Sequence, residues 1–168
     1  MVKNRHDSET LARGLQVVVA CALIHHNFDG IEKVFLPKRA DTKKFMPSVY
    51  ELPGGHVDFG ENITAGLKRE IREEFDKEII LGDPFATFTY TNEIKGTHSI
   101  ETVYFAQFAG GIDDIKIHPE DHAGYQWLSE VELQKMLQGT SKDESDAEYQ
   151  IIQRAFRLLR GDSLNFGA

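Results

Sequence analysis

The sequence predicts a mixed α/β domain, with helices packed on the faces of a largely antiparallel or mixed sheet. Three observations predict it. The run Leu15 to His25 is apolar without a break from Val17 to Ile24, and its β-branching and length read as a strand buried on both faces. Phe85 to Thr91 and Ser99 to Ala109 are aromatic and β-branched, and the turn-like Asn92 to His98 between them makes a hairpin. Between these blocks, Gly54, Gly55 and Gly60 lead into Ile63 to Phe75, where apolar residues recur at helical spacing.

The remaining elements follow in order. Asn27 to Gly30 supplies a turn, and Glu32 to Lys38 is the partner of the first strand. Ala40 to Val49 is a polar loop; Tyr50 to Leu52 is short and extended because Leu52 precedes Pro53. Gly110 to Gly124 is an acidic, glycine-containing loop, and Tyr125 to Leu128 a short strand. Ser129-Glu130-Val131-Glu132 and Ser145-Asp146-Ala147-Glu148 fit the capping-box pattern, each opening a helix. In the second helix Tyr149, Ile152, Phe156 and Leu159 form one stripe, and Gly161 is the expected stop. The polar linker Gly139 to Glu144 is too short to divide the chain, so residues 1–168 read as one domain with a flexible segment at 1–13.

Composition narrows the function. Lys and Arg number 19 against 27 Asp and Glu, a net charge of −8 that disfavours DNA and membrane surfaces as partners. Cys21 is the single cysteine, so neither a disulfide framework nor a cysteine-rich zinc site is open to this chain. No apolar run reaches transmembrane length and Met1 to Arg13 is polar, which makes the cytoplasm the expected location.

The chemistry concentrates in Gly55 to Phe75. On an ideal helix Ile63, Leu67, Ile71 and Phe75 form the buried stripe; taking Glu70 as zero, Glu74 falls about 40° round, beside that stripe, and Glu73 about −60°. Runs such as Arg69 to Glu74 also occur on solvated helices, where opposite charges pair at i,i+4. A carboxylate in the phase of Glu74 is costly unless compensated, and three glutamates in one and a half turns repel one another. A divalent cation with a preference for oxygen ligands resolves both problems, and the glycine-rich turn can bring backbone carbonyls to the same point.

The segment Gly55 to Lys77 resembles the Nudix box, G-x5-E-x7-R-E-U-x-E-E-x-G-U, where U is bulky and apolar. Gly55 matches the first glycine, Glu61 the first glutamate, Arg69-Glu70 the RE pair, Ile71 the apolar position and Glu73-Glu74 the EE pair. Asp76 and Lys77 stand where a glycine and an apolar residue are expected, at the helix end; Asp tolerates the left-handed region, so a helix stop is still expected there. The Tyr-Glu-Leu-Pro-Gly-Gly lead-in and a Trp-Leu strand entering a helix are similar too. The resemblance implies a Nudix-type α/β/α sandwich with a mixed sheet. It implies Mg²⁺, with Mn²⁺ as the alternative ion, held by Glu70, Glu73, Glu74 and the Gly54 carbonyl, with Arg69 and Glu61 orienting the glutamates. The implied reaction is attack of water on a pyrophosphate bond of a nucleoside diphosphate linked to another moiety: a nucleoside triphosphate, a dinucleoside polyphosphate or a nucleotide sugar. The base is Glu73 or Glu70 on the helix, or Glu120 in the loop before the last strand.

Arg39 is a candidate for substrate phosphate contact, and His56, in the motif loop, for approach to the substrate. Tyr50, Tyr90, Tyr104 and Trp127 could stack on a base, with Tyr50 the expected substrate contact among them. His25 and His26 are neighbours on a strand, so they face opposite ways. The pattern Glu120-Asp-His-x-x-Tyr-x-Trp127 resembles nucleoside triphosphate and dinucleoside polyphosphate hydrolases, and neither a coenzyme A signature nor the downstream proline of ADP-ribose enzymes is present. Two rival readings share the fold: a nucleotide-binding or regulatory module without catalysis, and an isopentenyl diphosphate isomerase, whose cysteine could here only be Cys21.

Overall fold

The structure, a computed structural model, describes residues 12–137 and 146–162. In chain order the elements are β1 (Gln16–Phe28), β2 (Ile31–Arg39), β3 (Gly54–His56), α1 (Ile63–Phe75), β4 (Ile79–Asn92), β5 (Thr97–Phe108), β6 (His122–Leu128), α2 (Glu130–Leu137) and α3 (Ala147–Leu159). Strand order is β4-β5-β1-β2-β6, with β3 also on β1. The β1–β5 pair is parallel and the other pairs are antiparallel, so the sheet is mixed, as expected.

Alternation along β1 builds the two faces. Val19, Cys21 and Leu23 point to one side and join Leu133 of α2 and Tyr149, Ile152 and Phe156 of α3. Ala20, Ala22 and Ile24 point to the other and meet Leu67, Ile71 and Phe75 of α1. The middle layer is therefore buried on both sides, as the apolar run anticipated, in the α/β/α arrangement that the resemblance implied. Strand β1 also forks. Its first half, Val19 to Cys21, pairs with β3, and its second half, His25 to Phe28, pairs with β2.

Helix α1 has the bounds its periodicity predicts. Asn62 caps it by accepting from the Thr64 and Ala65 amides, and Asp76 ends it in the left-handed conformation (φ 53°) while its N–H donates to the Arg72 carbonyl. An aspartate thus does at the C-terminus what glycine does more often.

Three local expectations change. The extended piece expected at Tyr50 to Leu52 makes only one bridge, Tyr50 to Lys38; the strand comes later, at Gly54 to His56. Gly54 lies so close to β1 that a Cβ there would be 2.2 Å from the Ala20 carbonyl, which is why glycine carries the strand. The loop expected through Gly124 ends at His122, where β6 begins. Helix α3 is capped by Asp146, whose side chain accepts from the Tyr149 amide; Ser145, and with it the linker 139–144, lies outside the described residues. Glu148 accepts from the Leu52 amide, tying α3 to the strand lead-in. The Ser129–Glu132 capping box forms in both directions. Of the segment 1–13 expected to be flexible, residues 1–11 lie outside the described residues.

Candidate active site

Arg69 organises the site. Its Nε and Nη2 donate to the two oxygens of Glu61, each at 3.0 Å, a fork that lysine could not reproduce. Nη2 also donates to the His56 carbonyl at 3.1 Å, and Nη1 donates to Glu70 at 2.7 Å and reaches Glu73 at 3.5 Å. One guanidinium therefore joins β3, the turn before α1 and two glutamates of α1. Glu61 accepts in addition from the Asp58 amide, and the Arg69 hydrogen bonds hold its carboxyl below the usual range.

Glu70 and Glu74 behave oppositely. Burial raises the Glu70 carboxyl despite its bond to Arg69. Burial, then the charges of Glu70, Glu51 and Asp121, push Glu74 well above the ordinary carboxylate range. One oxygen of Glu74, Oε2, is buried and has no hydrogen-bond partner. Gly55 makes room for this arrangement: a Cβ there would stand 2.6 Å from the Glu70 carboxylate.

These groups border a cavity of about 1050 Å³ that runs from the turn before α1 across the α3 side of the sheet. Ten of its lining residues are acidic and only three are Arg or Lys. All three of those cations already meet a carboxylate. Arg39 donates to Glu51 at 3.1 Å, Lys43 to Asp121 at 2.9 Å, and Arg69 to Glu61 and Glu70. Arg39 also donates from Nε to the Phe45 carbonyl, and its buried Nη2 is left without a partner.

Residues 15–149 match the family model of the NUDIX domain. The chain belongs to the NUDIX family. Over 80 residues it is 38% identical to a nucleoside triphosphatase NudI from Salmonella arizonae, covering 48% of this chain and 53% of that protein. The chain thus spans about half the length of the curated relatives it matches. Two solved structures show the same NUDIX fold. A MutT protein from Methanosarcina mazei superposes with a TM-score of 0.66 at 22% identity, over 90% of this chain and 99% of that one. A C. elegans Ap4A hydrolase superposes with a TM-score of 0.68 at 20% identity, over 86% and 98%.

Within this NUDIX frame, Gly54, Glu70, Glu73 and Glu74 border one cavity, together with Arg69, Arg39, His56 and Glu120. Glu61 stands behind Arg69, outside the lining, as an orienting residue would. Tyr50 does not line the cavity; it lies under the Lys38 ammonium, 5.8 Å away, and packs against the core. His25 pairs with Glu32 while His26 turns to Phe28 and Trp127, so the two do face apart. Cys21 is buried in the sheet.

Sequence reading missed Glu51, Glu101, Asp121 and His122, all on the cavity wall. It also missed Gly66, where a Cβ would come within 2.8 Å of Glu61. A glycine inside a helix is a signal of close approach, and Gly66 carried it.

The donor set suits a hard divalent cation. Carboxylates and a backbone carbonyl are the oxygen ligands that Mg²⁺ takes, and the partnerless Oε2 of Glu74 supplies a buried acceptor in want of positive charge. Among the described residues no three His, Cys, Asp or Glu side chains are already drawn around one point. Arg69 holds Glu70.

Proposed function

We propose that this chain hydrolyses a pyrophosphate bond in a nucleotide with Mg²⁺, or Mn²⁺ in its place, the substrate being a nucleoside triphosphate, a dinucleoside polyphosphate or a nucleotide sugar. The observation that carries this reading is the buried, partnerless carboxylate oxygen of Glu74 beside Glu70 on the wall of an acidic cavity. A polyphosphate cannot settle among ten acidic side chains whose cationic neighbours are committed, unless further positive charge comes with it. The similarity to a nucleoside triphosphatase supports the substrate class. A cytoplasmic location accords with such a substrate and with the described residues, none of whose helices is long and apolar enough to cross a membrane.

Glu70, Glu73, Glu74 and the Gly54 carbonyl would hold the ion. Bound there, it would neutralise phosphate oxygens and ease departure of the leaving phosphate. The chain's own residues do the rest. Arg69 fixes the Glu70 carboxylate and, through the His56 carbonyl, the strand that carries Gly54. Arg39 offers the buried Nη2 hydrogens to a phosphate oxygen. Water attacks one phosphorus and gives its proton to Glu73 or Glu120, both on the cavity wall. The bond from phosphorus to the bridging oxygen breaks, and that oxygen leaves with the electron pair.

The test is a panel of nucleoside triphosphates, dinucleoside polyphosphates and nucleotide sugars with Mg²⁺, products identified, for wild type and Glu74→Gln. Activity that collapses in the variant supports the reading. Undiminished turnover in Glu74→Gln removes the site assignment, and an inactive wild type across the panel points to a binding module. Running the reaction in ¹⁸O-water identifies the phosphorus attacked. Comparing pH profiles of Glu73→Gln and Glu120→Gln decides the base.

A further inference from the structure

We propose that the cavity also contains a base-reading subsite, in which a guanine ring lies between Phe45 and Tyr90 while its paired N–H donors meet Glu101. The proposal rests on the nucleotide reading above and names the base of that substrate.

The two rings come from different elements, Phe45 from the loop between β2 and β3 and Tyr90 from β4, and both line the cavity. They are nearly parallel, 15° apart in plane, with centroids separated by 6.2 Å. A ring inserted between two others needs about 7 Å, twice one van der Waals contact. Tyr90 is the fixed plate: it stands on the sheet, its hydroxyl hydrogen-bonds Ser99, and Phe88 flanks it with centroids 6.0 Å apart. Phe45 is the adjustable one, carried on an irregular segment in which Met46 and Ser48 take positive φ.

Glu101 lies in the central part of β5 and is only 5% exposed, yet it lines the cavity. Strand register puts it in one lateral row with the active-site turn: His56 of β3 opposite Val19 of β1, Val19 beside Glu101, Glu101 opposite Phe88. Two strand spacings, about 10 Å, separate β3 from β5. That offset places Glu101 where the base of a nucleotide falls when its pyrophosphate is at Gly54 and Glu70. The Cys21 thiol hydrogen-bonds Glu101. A thiol is a weak donor, and a carboxylate carries about four acceptor sites on its two oxygens.

The chemistry of the edge chooses the base. Two carboxylate oxygens side by side match two adjacent N–H donors. Guanine presents N1–H and the 2-amino group together. Adenine and cytosine set one amino donor beside an acceptor nitrogen, and uracil and thymine flank their single N–H with two carbonyls. Those bases bring an acceptor against a carboxylate, which repels it.

Calorimetric titration with guanosine, adenosine, cytidine and uridine, which carry no phosphate for the acidic wall to repel, tests the subsite apart from catalysis and metal. The wild type should bind guanosine at least tenfold more tightly than the other three. Glu101→Gln should remove that preference and raise KM for GTP at least tenfold with little change in kcat, and Phe45→Ala, on the loop, should weaken all four ligands together. Equal affinity for the four nucleosides in the wild type overturns the proposal, and so does an unchanged ranking in Glu101→Gln. If Glu101→Gln does not fold, the wild-type ranking and Phe45→Ala decide. Guanine preference without hydrolysis would remove the catalytic reading alone; hydrolysis indifferent to the base would remove this subsite alone.

Discussion

Glu74 and Arg69 show how single side chains serve the site against the interest of the fold. The Glu74 carboxyl sits above its ordinary range when folded, so its protonated form is the one the metal-free fold favours. Below pH of about 4.5 the group is protonated folded or unfolded and has no effect on stability. As pH rises through and beyond that value the unfolded chain ionises first, and stability is lost until the raised folded value is passed. Glu74→Gln removes this penalty. In metal-free urea melts the variant should be more stable than wild type by about 1–2 kcal/mol at pH 8, with the gap narrowing toward pH 5. Its turnover with Mg²⁺ should fall by more than the 10–100-fold typical of groups that merely orient a ligand. Arg69→Lys keeps the charge but loses the fork on Glu61; kcat should drop about tenfold or more, with the circular dichroism spectrum unchanged. Both residues were legible in the sequence, because their spacing is local to one helix. Glu101 was not singled out, although it shares the alternation phase of Ser99 and Val103 on β5, and an acid at a core phase is itself a signal.

Between β3 and α1, adjacent glycines answer to different neighbours. A methyl at Gly54 would strike backbone atoms of Ala20 and Cys21, and its φ of 151° is one that few side chains adopt. Gly54→Ala should destabilise the protein by about 2–4 kcal/mol. A methyl at Gly55 would meet only the end of the Glu70 side chain, which can swing away. Gly55→Ala should change stability by less than about 1 kcal/mol, yet displace a ligand and lower kcat by up to about 100-fold. Thermal melts and initial rates on the two variants separate the roles. At this scale, α1 was readable from the helical spacing of Ile63, Leu67, Ile71 and Phe75, whereas the Asn62 cap was not singled out. The strands were read short: β1 runs to Phe28 past His26 and Asn27, and β4 starts at Ile79, ahead of Gly82-Asp83-Pro84, because cross-strand pairing carries both past residues that break the alternation. The displacement of β3 from Tyr50–Leu52 to Gly54–His56 has the same origin, since pairing across β1 decides it and no local pattern reports it.

At the scale of the molecule, the sandwich brings residues distant in sequence to one wall. Glu51 before β3, Asp121 and His122 at β6 and Glu101 on β5 converge only through the strand order, so no spacing along the chain announces them. His122 is 4% exposed, stacks on Phe75 of α1 and lies 3.7 Å from Glu51, a three-element contact that only the fold creates. The acidic wall makes the whole fold responsive to cations. Mg²⁺ at 100 times its dissociation constant should add about 2.7 kcal/mol of stability, and Glu74→Gln should lose most of that gain. Since Glu70 and Glu74 are both raised, binding should also release protons at mildly acidic pH. Calorimetry in buffers of different ionisation heat checks this, and identical heats would contradict it. The prior commitment of Arg39, Lys43 and Arg69 to carboxylates extends to the substrate as it arrives. A polyphosphate stripped of counterions meets a repulsive doorway, whereas its chelate enters with two of its negative charges cancelled. The rate should therefore track the chelate and not total nucleotide, so that surplus bare polyphosphate slows its own consumption by sequestering the ion.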